Sequence, residues 1–441
     1  MIDRWWALLV FQFLWVAPVQ GAEYPNVVLI MADDLGYGDL SCYDGWIQTP
    51  AIDSIAARGM LMTDYHSNGN VCSPTRAALM TGRYQQRAGI PSVVAAAKNN
   101  PAHSWGLQPV ENTIAEVLTT RGYQTGIFGK WHLGYFKKYN PTHHGFKQFV
   151  GYVSGNIDFI SHVDQAGTFD WWHNQELSRE SGYSTHLITQ HAVEFIKDNQ
   201  EHPFFLYVPH EAPHYPYQGP GDKADRTVGG EFNNHGSRLD KKEAYREMVE
   251  EMDKGVGDIL SALKTTGTYR NTIVIFCSDN GATSLGSNGV LRGHKGTNFE
   301  GGHRVPCVVQ WPGRISKGSR SDALMMSMDL MPTLLDCTGL SLVPGCAMDG
   351  TSMREIWEGE PAVSDRTVVW NGTTLRQGNW KLMLAQKGVK MNSLFNLEND
   401  KSESTNVIGK HPDLADDLID KLNLMNRDLK TNATVQPSGS Y

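Results

Sequence analysis

Continuous apolar runs, each ending in polar residues and alternating with stretches of helical length, constrain this chain's fold more than anything else in its sequence. Residues 26–32 are apolar after Asn26 and stop at Asp33-Asp34-Leu35-Gly36. Such a run, with no period-two alternation, reads as a strand buried on both faces with a loop at its carboxyl end. Thr49-Pro50 then opens a predicted helix reaching about Met60, with Thr as N-cap and Pro in the first turn. The pattern recurs. Predicted helices at 113–121, 184–199 and 241–263 precede predicted strands at 124–129, 203–208 and 272–277. This alternation implies an α/β fold, a large mostly parallel sheet flanked by helices on both faces. In such sheets ligands sit beyond the carboxyl ends of the strands. Asp33 with Asp34, Lys130 with His132, His210 with His214, and Asp279 with Asn280 all follow predicted strands.

Beyond about residue 360 the pattern changes to short predicted strands at 367–370, 375–385 and 393–397, separated by Gly and Asn turns, and then a helix at 411–429. This reads as a smaller C-terminal antiparallel sheet plus helix, with little to order residues 431–441. At the other end, residues 5–16 are apolar except for Gln12 and follow Arg4. The run falls short of the roughly 20 residues a membrane helix needs and reads as a signal-peptide core cleaved near Gly21 or Ala22. The resulting plan is a signal peptide at 1–22, a catalytic α/β domain at 23–360 and the small unit at 361–441. An exported protein follows, periplasmic or secreted, or lysosomal in a eukaryote, with no stable membrane insertion after cleavage. The formal net charge of -8 provides no global field for a polyanion, which argues against nucleic acid as a partner. Of the six cysteines, Cys277 and Cys307 sit in apolar strand-like runs, while Cys337 and Cys346 flank a short loop and could pair.

Cys72-Ser73-Pro74-Thr75-Arg76, followed by Ala77-Ala78-Leu79-Met80-Thr81-Gly82-Arg83, carries the most specific chemistry. A cysteine near an arginine suggests a thiolate nucleophile, because a cation stabilises charged sulfur. The spacing argues otherwise, since a thiolate phosphatase loop needs its arginine six positions on, where this chain has Ala78. Asp33, Asp34, Asp279 and Asn280 offer only hard oxygen ligands, suited to Ca²⁺ or Mg²⁺ rather than zinc. Arg76, Lys130, His132, His214 and Lys295 form a cationic set of the kind that stabilises negative charge dispersed onto oxygens in a transition state.

The C-x-P-x-R order with its downstream T-G-R resembles the sulfatase family, as do Lys130-Trp131-His132-Leu133-Gly134, Ala212-Pro213-His214-Tyr215-Pro216 and Arg292-Gly293-His294-Lys295-Gly296, with His294 where Gly is more usual. The resemblance spans nearly the whole mature chain and implies an alkaline phosphatase-like fold. It also implies that Cys72 is converted to formylglycine by a formylglycine-generating or anaerobic sulfatase-maturating enzyme. One Ca²⁺ would then be bound by Asp33, Asp34, Asp279, Asn280 and the modified Cys72. In the implied mechanism the aldehyde hydrate attacks sulfur while His214, assisted by Lys295, protonates the leaving oxygen; His132 then takes a proton as sulfate is eliminated, and Arg76 and Lys130 hold the formylglycine. Ser154 falls where some members place another hydroxyl, and a turn serine is an equal reading. Trp171, Trp172 and His173, with Asn156, Asp158 and His162, could form a sugar-binding rim or simply pack a long loop. The expected substrate is a sulfated carbohydrate. A phosphonate monoester or phosphodiester hydrolase of the same superfamily, or a non-catalytic carbohydrate-binding relative, are the alternatives.

Overall fold

The computed structural model describes residues 24–340, 347–361 and 365–436. The expected export segment 1–22 and Cys346 lie outside them.

The main sheet has ten strands, in the order Ser319–Ser321, Met60–Met62, Cys307–Gln310, Thr272–Ser278, Asn26–Ala32, Phe204–Pro209, Gln124–Lys130, Gln148–Tyr152, Trp172–His173 and Glu176–Leu177. The five from Thr272–Ser278 to Gln148–Tyr152 run parallel. Antiparallel pairs begin where Cys307–Gln310 joins one side and Trp172–His173 the other. The expected α/β sheet is therefore present, parallel at its centre and mixed at its flanks. Side chains of a strand alternate between faces, which explains the unbroken apolar runs. Val27, Leu29 and Met31 pack in one core with Ala77, Leu79 and Met80 of the Cys72–Thr81 helix. Val28, Ile30 and Ala32 pack in the opposite core with residues of the Pro50–Arg58, Ser184–Asp198 and Lys241–Thr265 helices. Among the described residues, no helix is long and apolar enough to cross a membrane.

Several element ends differ from expectation for local reasons. The first helix stops at Arg58, because Met60 is needed in a strand beside Val309. Its cap also differs, since the Thr49 hydroxyl donates to Asp53 Oδ1 at 3.1 Å, while Asp253, from a helix remote in sequence, accepts from the Ala51 and Ile52 N–H groups at 3.0 and 2.9 Å. The stretch 375–385, expected as one strand, is two, Thr374–Gln377 and Trp380–Met383, joined through Gly378 at φ 53°. With Thr367–Trp370 and Ser393–Asn396 they form an antiparallel four-stranded sheet, against which Leu418 and Leu422 of the Pro412–Asp428 helix pack. The tail is tied down as far as it is described, with Thr434 N donating to Arg87 O at 2.9 Å and Gln436 Nε2 to Gly106 O at 2.8 Å. The expectation of little order there does not hold for these residues.

Candidate active site

Register brings the acidic groups together. Met31 lies level with Pro209, and Ala32 with Ser278. Asp33, His210 and Asp279 therefore leave three adjacent parallel strands at one level. Asp34 turns back at φ 68°, a left-handed conformation that Asp tolerates, and its N–H donates to Asp279 Oδ1 at 3.2 Å. Cys72 opens a helix that is buried along its whole length. Pro74 fits the first turn, where no intrahelical N–H is needed, and the positive end of the helix dipole lies at Cys72.

The sequence-predicted residues form one buried ionic cluster. Cys72 Sγ lies 3.5 Å from Asp33 Oδ1 and 3.6 Å from Lys295 Nζ. Lys130 Nζ donates to Asp33 Oδ2, and Lys295 Nζ reaches the two Asp34 oxygens at 2.7 and 2.8 Å. Arg76 donates from Nε and Nη2 to Asp279 Oδ2 at 3.1 and 2.8 Å, and from Nη1 to the Lys130 carbonyl at 3.2 Å. Asn280 Nδ2 donates to Asp34 Oδ1 at 2.7 Å, whereas buried Asn280 Oδ1 has no hydrogen-bond partner among the described residues. Lys295 is the most open of these groups, its side chain 20% exposed.

The two histidines are held differently. His214 Nδ1 faces the Tyr215 carbonyl at 2.8 Å, and its Nε2 lies 3.7 Å from Asp34 Oδ2. A carbonyl only accepts, so Nδ1 carries the proton of the neutral ring. His132 Nε2 donates to the Val94 carbonyl at 3.1 Å, which leaves a lone pair on Nδ1, buried and without a partner among the described residues.

Burial and mutual repulsion set the electrostatics. Burial and the nearby Asp279 carboxylate push Asp33 up to about 7 against the pull of Lys130. Asp34 is held well below the usual carboxylate range, because Lys295 and His214 outweigh its burial. Burial and Asp33 push the Cys72 thiol up to about 12. Burial, reinforced by Lys130 and Arg76 at His132 and by Lys295 at His214, holds both rings well below the ordinary histidine range. Crowded carboxylates, one of them resisting ionisation, together with an orphaned amide oxygen, fit a hard divalent cation held by Asp33, Asp34, Asp279 and Asn280.

Other expected groups lie elsewhere or play other parts. Trp171, Asp158, His162 and Asn156 are buried, with the Trp171 and His162 rings stacked at 4.5 Å and Asp158 accepting from the Ile160, Ser161, Asp225 and Arg226 N–H groups. They pack the loop and form no rim; of the set, only Trp172 and His173 retain appreciable exposure. The Ser154 hydroxyl donates to Asn156 O at 3.1 Å, as a turn serine does. His210 is buried, with neither ring nitrogen partnered among the described residues. Sequence reasoning missed the Val94 carbonyl, which no side-chain pattern reveals. It also missed a groove of about 690 Å³ lined by Asn70, Val71, Gln86, Ser92, Asn371, Asn426 and others, whose segments are remote from one another in sequence.

The chain is similar to known proteins over most of its length. The sulfatase family profile matches residues 25–340, and that of the N-sulphoglucosamine sulphohydrolase C-terminal region matches residues 294–428. The chain is 35% identical to mouse N-acetylgalactosamine-6-sulfatase over 371 residues, 78% of this chain and 68% of that protein. It is 36% identical to human arylsulfatase A over 358 residues, 75% and 67% of the two chains. Among solved structures, Ps i-CgsB in complex with k-i-k-neocarrahexaose superposes with a TM-score of 0.83 at 28% identity, covering 94% of this chain and 95% of that one.

Proposed function

The chain belongs to the sulfatase family of sulfuric ester hydrolases, and we propose that it is an exported, calcium-dependent member that removes sulfate from sulfated carbohydrates by means of a formylglycine derived from Cys72. The observation that carries this reading is the placement of Cys72 Sγ between Asp33 and Lys295 at the start of a buried helix, with ligand atoms of Asp34 and His214 within 4.8 Å. A thiol with its pKa raised to about 12 is a poor nucleophile near neutrality, in keeping with a cysteine that serves as precursor rather than reagent. A cation held by Asp33, Asp34, Asp279 and Asn280 would supply Lewis-acid stabilisation of anionic oxygen. The oxidised Cys72 would supply a hydrated aldehyde hydroxyl as nucleophile.

The remaining work falls to the chain's own side chains. Lys295, Lys130 and Arg76 supply buried positive charge against which an anionic sulfate ester is held. His132, with Nε2–H committed to Val94 and Nδ1 free, is set up as a base. His214 directs Nε2 away from its Tyr215 anchor and would act as acid once charged, which the adjacent sulfate ester monoanion favours. The amide-lined groove starts at Asn70 and Val71, immediately before Cys72, and suits sugar hydroxyls, with Lys430 available to a second sulfate. The relatives named for N-acetylgalactosamine 6-sulfate and crystallised with a carrageenan oligosaccharide support the same substrate class.

The test has two arms. Mass analysis of the Cys72 peptide from active protein is expected to find the aldehyde in place of the thiol. Desulfation of defined sulfated mono- and oligosaccharides is expected in the purified protein and absent in Cys72→Ala. An unmodified thiol in fully active protein would overturn the mechanism, and turnover of aryl phosphonates in preference to every sulfate ester would overturn the activity.

A further inference from the structure

A second cluster lies away from the oxygen-rich centre, where the hairpin of the Trp172–His173 and Glu176–Leu177 strands and the loop after it meet the Ser184–Asp198 helix. The ligand atoms of His173, Glu180 and His191 all fall within 4.8 Å of one another. His173 Nε2 is 3.3 Å from Glu180 Oε2, and His191 Nε2 is 2.9 Å from Glu180 Oε1. Tetrahedral zinc with bonds of about 2.0 Å separates its ligand atoms by roughly 3.3 Å, so the triad needs little movement to close on an ion.

We propose that His173, Glu180 and His191 form a second metal site, taking a zinc-class divalent cation and leaving its fourth position to water. Two imidazoles and one carboxylate favour borderline metals over the hard cations suited to the Asp33 centre. The surroundings match a ligand set rather than a chance surface pair. His191 turns its other nitrogen, Nδ1, toward Glu194 Oε2 at 3.6 Å, beyond hydrogen-bond length but close enough for this carboxylate to engage the ring once a metal takes Nε2. Buried Trp171 donates its Nε1–H to Glu180 Oε2 at 3.0 Å, fixing the carboxylate. The His173 side chain is 43% exposed, which leaves an entry path. Bound metal ties the edge hairpin to the helix. The hairpin strand pairs with Val150 and Gly151, so the tie acts on the strand leading into the Ser154-Gly155 segment.

The test is calorimetric titration of the intact protein with zinc chloride in excess calcium, which blocks the oxygen-rich centre. One saturable zinc site is expected, unaffected by Cys72→Ser, abolished by His191→Ala, and visible as a cobalt(II) d–d spectrum when cobalt replaces zinc. Glu194→Gln is expected to weaken zinc roughly 10- to 100-fold. His173→Ala, at a half-exposed position that the fold tolerates, is expected to weaken it further with an unchanged far-UV spectrum. Absence of saturable zinc binding below millimolar concentration would overturn the site, as would binding that persists unchanged in both histidine variants.

Discussion

His132 illustrates how far a single residue is shaped by its surroundings. Its backbone is left-handed at φ 56°, a conformation that costs a non-glycine residue of order 1–3 kcal/mol and persists only where the surroundings impose it. Its ring lies so close to Gly155 that a Cβ there would approach Cε1 and Nε2 at 2.9 Å. Gly155→Ala must therefore displace the ring from the Val94 carbonyl. The expected result is a loss of roughly 100-fold in kcat, the scale of a displacement near 1 Å, with little change in thermal stability. Steady-state kinetics and a melting curve check it, and an unaltered kcat would remove His132 from the mechanism. That Asp33, Asp34, Arg76, Lys130, Asp279, Asn280 and Lys295 would meet was legible in the sequence, because most of them follow predicted strands whose carboxyl ends share one edge of the sheet. Gly155 was not, because a missing side chain matters only in relation to what packs on it.

Among the elements, the Ile114–Thr119 helix has its start written locally. Thr113 Oγ1 accepts from Glu116 N at 3.2 Å, and Glu116 Oε2 accepts from Thr113 N at 2.7 Å, a reciprocal capping box. Thr113→Ala is expected to cost about 1 kcal/mol, more where the bond from Thr113 Oγ1 to the His144 carbonyl at 2.8 Å is also felt. Denaturant unfolding reads this loss, and an unchanged midpoint would show that packing alone sets the boundary. The Pro50–Arg58 helix is the contrast. Its N-terminal N–H groups are capped by Asp253, about 200 positions along the chain, so Thr49-Pro50 announced the helix without revealing its cap. The double strand at 374–383 also escaped, since only two residues, Gly378 and Asn379, reverse the chain between two four-residue strands.

For the whole molecule, the decisive feature is a buried charge network joining the two sheets. Lys381 of the small sheet pairs with Glu300 and Glu403, each at 2.9 Å, and Arg376 pairs with Asp64 at 2.6 Å. Trp370 stacks on His303 with ring centroids 4.1 Å apart, and His66 Nδ1 meets His303 Nδ1 at 2.9 Å. Arg292, three residues before Lys295, donates to the Glu403 carbonyl at 2.7 Å, so the C-terminal unit also braces the loop carrying that lysine. Lys381→Met leaves buried Glu403 without its cation, and Glu300 with only Arg304 at 3.3 Å and Arg376 at 4.0 Å, and is expected to cost about 3 kcal/mol or more. Lys421→Met, which breaks an exposed pair with Asp417, should cost at most about 1 kcal/mol. Comparable melting temperatures for the two variants would refute the network's role. Acid should act on the same joint. Burial, and the neighbouring cations Lys381 at His303 and Arg376 at His66, depress both histidines below their ordinary value of 6.5. The unfolded chain then binds more protons below 6.5, so this stability is present above that pH and is lost as the pH falls. Asp64, held low against its burial by Arg304 and Arg376, extends the loss below about 4. Melting temperature measured from pH 7 to pH 4 is expected to fall, and a flat profile would show the network to be insensitive to protons.

By itself the sequence determined the alternating α/β plan, because runs buried on both faces leave a one-dimensional mark, and it marked the polar groups from Asp33 to Lys295 as candidates, because they follow those runs at the carboxyl ends of strands. Tertiary structure alone decided which of those groups pair, which nitrogen of each histidine is free, that Trp171 is packing rather than rim, and that His173, Glu180 and His191 meet. Pairing, tautomer and burial depend on distances between segments remote in the chain, and no local pattern of residues carries that information.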